Sequence, residues 1–133
     1  AAENYIARQS QPKTLDDLKS HSLVGYVDDL VYTPELNYAQ EFLRDWRSDI
    51  EISTAIGQFE AVCAGAGIGI CHDFMASNKA GLVRLFPERT ALRTYWTVWH
   101  ENQRTTRRVR VVADMLEAMV REDRALFQSQ SDH

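Results

Sequence analysis

Short apolar runs separated by stretches of helical spacing constrain this chain more than any other feature. Ser22-Leu23-Val24-Gly25-Tyr26-Val27, closed by Asp28-Asp29, and Ile68-Gly69-Ile70-Cys71 are compact runs suited to buried strands. Asp49-Ile50-Glu51-Ile52-Ser53 alternates polar and apolar residues, the pattern of a half-buried strand. Thr14 stands three residues before Asp17, a capping pair that predicts a short helix. Thr33-Pro34 opens a helical stretch whose Leu36, Ala39, Leu43 and Trp46 share one face. Gly57-Gln58 introduces a shorter helix through Phe59, Val62 and Cys63, which Gly65 and Gly67 stop. His72-Asp73 starts another helical turn that ends near Gly81. Leu82–Phe86 and Thr94–Trp99 read as two further strands, and Thr105 or Thr106 caps the longest helix, running to about Leu126. The order predicts an α/β fold: a mainly parallel, twisted sheet of about four or five strands with helices on both faces.

Size and charge narrow the function classes. At 133 residues the chain is long enough to bury a core without a disulfide or metal. Its 15 basic and 19 acidic residues, a net charge of −4, argue against a polycationic nucleic-acid binder. No apolar run reaches the ~18–20 residues of a membrane span, and no leader pattern opens the sequence. No membrane partner is expected, and a reduced, cytoplasmic setting is. Cys63 and Cys71 fit neither a zinc spacing nor a disulfide framework, and no cofactor is expected.

Three motifs invite chemistry, and each has a plainer reading. Gly65-Ala66-Gly67-Ile68-Gly69 resembles a phosphate loop, but its glycines close a helix and open a strand, the reverse of a dinucleotide fingerprint. Cys71, His72 and Asp73 include a nucleophile, a base and an acid, yet adjacent strand residues point to opposite faces, so no triad assembles. Arg104, Arg107, Arg108 and Arg110 form the basic cluster of the chain without interleaved stacking residues, which fits a solvated or ion-paired face. More informative are two helix starts, near Gly57-Gln58 and His72-Asp73, that follow strand ends directly. In α/β domains such ends gather on one edge, where free backbone N–H groups favour carboxylates.

The final helix stands apart. Val109, Val112, Ala113, Leu116, Met119 and Val120 occupy one side; Arg110, Asp114, Glu117, Arg121 and Arg124 occupy the other. Arg110–Asp114 and Glu117–Arg121 are spaced for ion pairs one turn apart.

Several segments together resemble the effector-binding domain of LysR-type transcriptional regulators. They are Asn4-Tyr5-Ile6-Ala7-Arg8 with Pro12, Leu15-Asp16-Asp17-Leu18 and His21; Gln58 through Ile70; Gly81-Leu82-Val83-Arg84-Leu85-Phe86-Pro87; and Arg108 through Leu116. Their order over about 115 residues is that of the family, with His72 standing where the family usually has proline and Cys71 where it has leucine. The resemblance implies a type II periplasmic-binding-protein-like subdomain. Residues 1–100 would be the second subdomain of the effector-binding domain, and 101–133 the final helix with a short tail. It implies a sensor of a small, anionic metabolite that performs no catalysis. DNA would be contacted only through a winged helix-turn-helix domain outside this chain. A two-lobed solute-binding protein fragment is the alternative from another class. The ligand edge is expected at Tyr26, Asp28 and Asp29, at Gly57, Gln58 and Phe59, and at Cys71, His72 and Asp73. Without the first subdomain, the stripe Val109, Val112, Leu116, Met119 and Val120 would be bare. It would then fold back on the sheet or, as the favoured outcome, pair with a second copy in a homo-oligomer.

Overall fold

The computed structural model describes residues 1–30 and 38–127. The chain forms two compact units, Ala1–Ala91 and a second that begins at Leu92.

The first unit is built on three parallel strands, β1 (Leu23–Gly25), β2 (Ile50–Glu51) and β3 (Ile68–Gly69), in the order β2-β1-β3. Val24 registers with Ile50 and Gly69, and Leu23 with Ile68. All three β1 residues are buried, as a central parallel strand covered on both faces requires. Leu23 and Val24 therefore serve different layers. Leu23 and Ile68 join Tyr5 of α1 (Glu3–Gln9), Leu18 and Leu43 in one core cluster. On the other side lies α3 (Ala55–Cys63), whose Val62 and Phe59 are buried. A Cβ on Gly69 would fall 2.6 Å from Val62 Cγ2, so the glycine lets helix and strand approach.

Local signals explain where the elements start and stop. The Asp17 carboxylate accepts the Thr14 amide at 2.8 Å, and the Asp17 amide donates to Thr14 Oγ1 at 3.3 Å. This reciprocal cap holds a 3-10 turn at Asp16–Ser20. Helix α3 begins earlier than the glycine suggested: Thr54 is its N-cap, with Oγ1 accepting the Gly57 amide at 3.1 Å. Gly65 ends it at φ +79°, where the Gly65 amide donates to Val62 O and the Ala66 amide to Ala61 O. That paired closure needs the left-handed conformation glycine tolerates. The glycine-rich stretch is thus a helix stop with close helix–strand packing. Gly67 completes it, since a Cβ there would meet the Ser22 carbonyl oxygen at 2.4 Å.

Several expectations need correction. The helix expected from Thr33 through Trp46 is, among the described residues, the single turn α2 (Ala39–Phe42); Thr33, Pro34 and Leu36 lie outside those residues. Leu43 leaves the helix at φ −138° to enter the core, with Trp46 packed against it. Leu82–Phe86 is not a strand. Leu82 makes an isolated antiparallel bridge with Ala2, and Phe86 turns at φ +51°, which breaks extension. Thr94–Trp99 forms no strand either, with Tyr95, Trp96 and Val98 exposed. A strand needs a neighbour for its ladder bonds, and the described elements of the second unit are helical. The described sheet therefore has three strands rather than four or five.

The second unit carries α5 (Arg107–Glu122) and α6 (Arg124–Phe127), with a 3-10 turn at Glu101–Gln103 before them. Thr106 occupies the N-cap of α5, but its side chain makes no capping bond. Arg121 pairs with Glu117 one turn back along α5. The expected apolar stripe is open: Val112, Leu116, Met119 and Val120 are exposed, and Val109 is half-buried.

Candidate functional site

Parallel strands bring all their C-terminal ends to one edge, so three connecting segments meet there. After β1 come Tyr26 and the 3-10 turn Asp28–Leu30; after β2 comes the Thr54-capped start of α3; after β3 come Cys71, His72 and the single turn α4 (Asp73–Ala76). The expected groups around Gln58 and His72 thus lie on the same edge of the sheet, beyond the strands that flank β1.

Their side chains differ in availability. Tyr26 is half-buried, while Asp28 and Asp29 are exposed. Gln58 is 4% exposed and its Nε2 donates to the Ile52 carbonyl at 3.0 Å, which ties α3 to the end of β2. Phe59 is a core residue. A Cβ on Gly57 would meet Ile52 Cγ2 at 2.7 Å, so the chain packs closely there. The middle group therefore offers mainly backbone at the helix start. Helix α3 has a full dipole behind that start, whereas α4 is too short to supply one.

Aromatic rings line much of the edge. Tyr26 meets Tyr38 edge-on at 6.2 Å between centroids, and Tyr38 meets His72 at 6.5 Å. His72 stacks on Phe74 at 5.2 Å and 14°. Beside Tyr26 and Tyr38 lies a cavity of about 20 Å³, bordered also by Asp28, Gln40, Trp46 and Ser48. That volume holds about one water, so a larger ligand would rest on the edge itself. Trp46 is fixed by its Nε1 donating to Ser48 Oγ at 3.1 Å.

Electrostatics at the β3 end disfavour nucleophilic chemistry. Burial pushes the Cys71 thiol up to about 11, so the thiolate is scarce near neutrality. Burial lowers the His72 pKa, opposed by the nearby Asp73 carboxylate, which favours the neutral ring. Asp73 faces the Arg84 guanidinium at 3.8 Å, which brings a cation to this edge. Among the described residues no cluster of His, Cys, Asp or Glu could hold a metal ion, and no helix is long and apolar enough to cross a membrane.

Sequence reasoning missed Tyr38, Phe74 and Arg84 as neighbours of the edge. Tyr38 sat within an expected helix, and Arg84 within an expected strand, so neither position signalled the contact that long-range folding creates.

A family profile, the LysR substrate binding domain, matches residues 1–121. No curated protein and no solved structure matches the chain.

Proposed function

The chain belongs to the LysR substrate binding domain family, and on that premise we propose that it is the effector-sensing portion of a LysR-type transcriptional regulator, reporting a small anionic metabolite. The family domain belongs to regulators that sense effectors. The observation that carries the reading to this chain is the convergence of three strand-end segments on one edge, with an aromatic arc from Tyr26 to Phe74. An anionic group is supported by Arg84 at that edge and by the dipole at the start of α3. A planar or apolar body would lie against the rings.

In this reading residues 1–100 are the second lobe of the effector-binding domain and 101–133 its closing helix and tail. The protein works in the cytoplasm and performs no chemistry of its own. Effector binding is transmitted to a winged helix-turn-helix domain that alone contacts DNA. The raised Cys71 thiol and the stacked His72 ring fit a wall that holds a ligand rather than one that attacks it.

A thermal-shift series with small carboxylates and their neutral amides tests this. Aromatic carboxylates are expected to raise the melting temperature, their amides less, and Tyr26→Ala or Arg84→Ala to abolish the difference. Equal shifts for acids and amides would remove the anionic assignment. Turnover of any of these compounds, lost in His72→Ala, would overturn the sensor reading.

A further inference from the structure

We propose that the cavity at the end of β1 seats a primary ammonium group, so that the molecule held at this edge is an amino acid rather than a simple carboxylic acid. The inference rests on the effector reading above for the ligand's carboxylate, which it keeps, and adds a second charge of opposite sign.

The cavity selects by size. Its volume of about 20 Å³ suits one water molecule, and an ammonium head is close to that size. A glycine preserves the space. A Cβ on Gly25 would collide with Ser48 Oγ and stand 3.3 Å from Trp46 Nε1. A side chain there would press on the hydroxyl that holds Trp46 in place.

The cavity also selects by charge. Tyr26, Tyr38 and Trp46, all half-buried, border it. The π-face of an aromatic ring is negative, so it attracts a cation and repels an anion. Among the described residues Asp28 is the one charged residue that lines the cavity, and it makes no ion pair there. Trp46 spends its indole N–H on Ser48 Oγ at 3.1 Å, so that donor does not oppose a cation. A carboxylate without a counter-charge beside aromatic rings recognises an ammonium group, whereas a ligand carboxylate in the same place would meet a like charge. A metal ion is served poorly: hard cations take six or more oxygens, and among the described residues no group of His, Cys, Asp or Glu gathers to hold one.

The ligand's carboxylate belongs at the other end of the edge. Arg84 stands beyond β3, and its single contact with Asp73 at 3.8 Å leaves it further N–H donors. Tyr38 connects the two ends, meeting Tyr26 at 6.2 Å and His72, the neighbour of Asp73, at 6.5 Å between centroids. Seats beyond different strands suit a ligand whose two charges stand at opposite ends of an apolar body.

Isothermal titration of the 133-residue chain tests the proposal. The probes are para-toluate, benzylamine, para-aminomethylbenzoate and the N-trimethylated form of the last. para-Aminomethylbenzoate is expected to bind about three- to thirtyfold tighter than para-toluate, and Asp28→Asn to erase that gain. Asp28 is exposed, so the variant is expected to fold, which circular dichroism checks. The trimethylated probe carries the same charge but exceeds the cavity, and is expected to bind no tighter than para-toluate. An equal gain for both ammonium probes would overturn the seat, because attraction to the surface charge alone would then explain it. Equal affinities of para-aminomethylbenzoate and para-toluate would overturn it too, leaving the cavity to a water molecule and the effector reading intact. Benzylamine bound by the wild type and lost in Asp28→Asn, with no response to para-toluate, would uphold the seat and sink the carboxylate reading. No binding of any probe up to about 10 mM would overturn both.

Discussion

The buried Tyr5 hydroxyl accepts the Ser22 amide hydrogen at 2.9 Å, tying helix α1 to the residue that leads into the central strand. The same hydroxyl lies 3.2 Å from His21 Nδ1, so one side chain orders both residues before β1. Because β1 is the middle strand, its position governs where Tyr26, Asp28 and the cavity beside them lie.

Tyr5→Phe keeps the ring in the core but leaves the Ser22 amide without its acceptor. The expected loss is about 1–3 kcal/mol of stability, read by urea unfolding. An unchanged midpoint and slope would show that water replaces the hydroxyl at no cost.

Two glycines separate steric from conformational strain. Gly67→Ala drives a Cβ toward the Ser22 carbonyl, which belongs to the backbone and cannot rotate away. It is expected to cost about 1–3 kcal/mol. Gly81→Ala has open space around it but must hold φ +81°, so only about 1–2 kcal/mol of left-handed strain applies. Equilibrium unfolding of both variants should rank Gly67→Ala as the more damaging; the reverse order would mean that the α3–β3 junction yields easily.

The thiol at position 71 should be slow to alkylate. With Cys63→Ser leaving one thiol, a rise from 9.0 to about 11 predicts roughly a hundredfold slower iodoacetamide labelling at pH 8 than in the urea-unfolded chain. Equal rates in the two states would place Cys71 in open solvent.

Acidification should act through His72. Its pKa is lowered by burial in the folded state, so below the ordinary histidine range the unfolded chain binds the extra proton more readily. The stability this group contributes is complete above the unfolded pKa of about 6.5 and is lost as pH falls through the lower folded value. Compared with wild type, His72→Gln should show a shallower fall in melting temperature between about pH 7 and 5. Parallel curves would show that His72 titrates alike in both states.

Sequence alone determined the features that depend on neighbours a few residues apart. Thr14 and Asp17 announced their reciprocal cap, Gly65 its helix stop, and the spacing from Val109 to Met119 its apolar face, because turns and caps close within one helical turn. The three strand positions were legible as well, and parallel order then implied a shared edge. Only the tertiary structure decided what depends on partners distant in the chain. Thr94–Trp99 and Leu82–Phe86 carry strand-like residues but no full ladder, since strand pairing is a property of two segments and neither pattern reveals the second. Gln58 and Phe59, read as ligand-facing, turned inward because packing against β1 and β3 sets the rotation of α3. The arc joining Tyr26, Tyr38, His72 and Phe74 likewise spans residues that only the fold brings within ring contact.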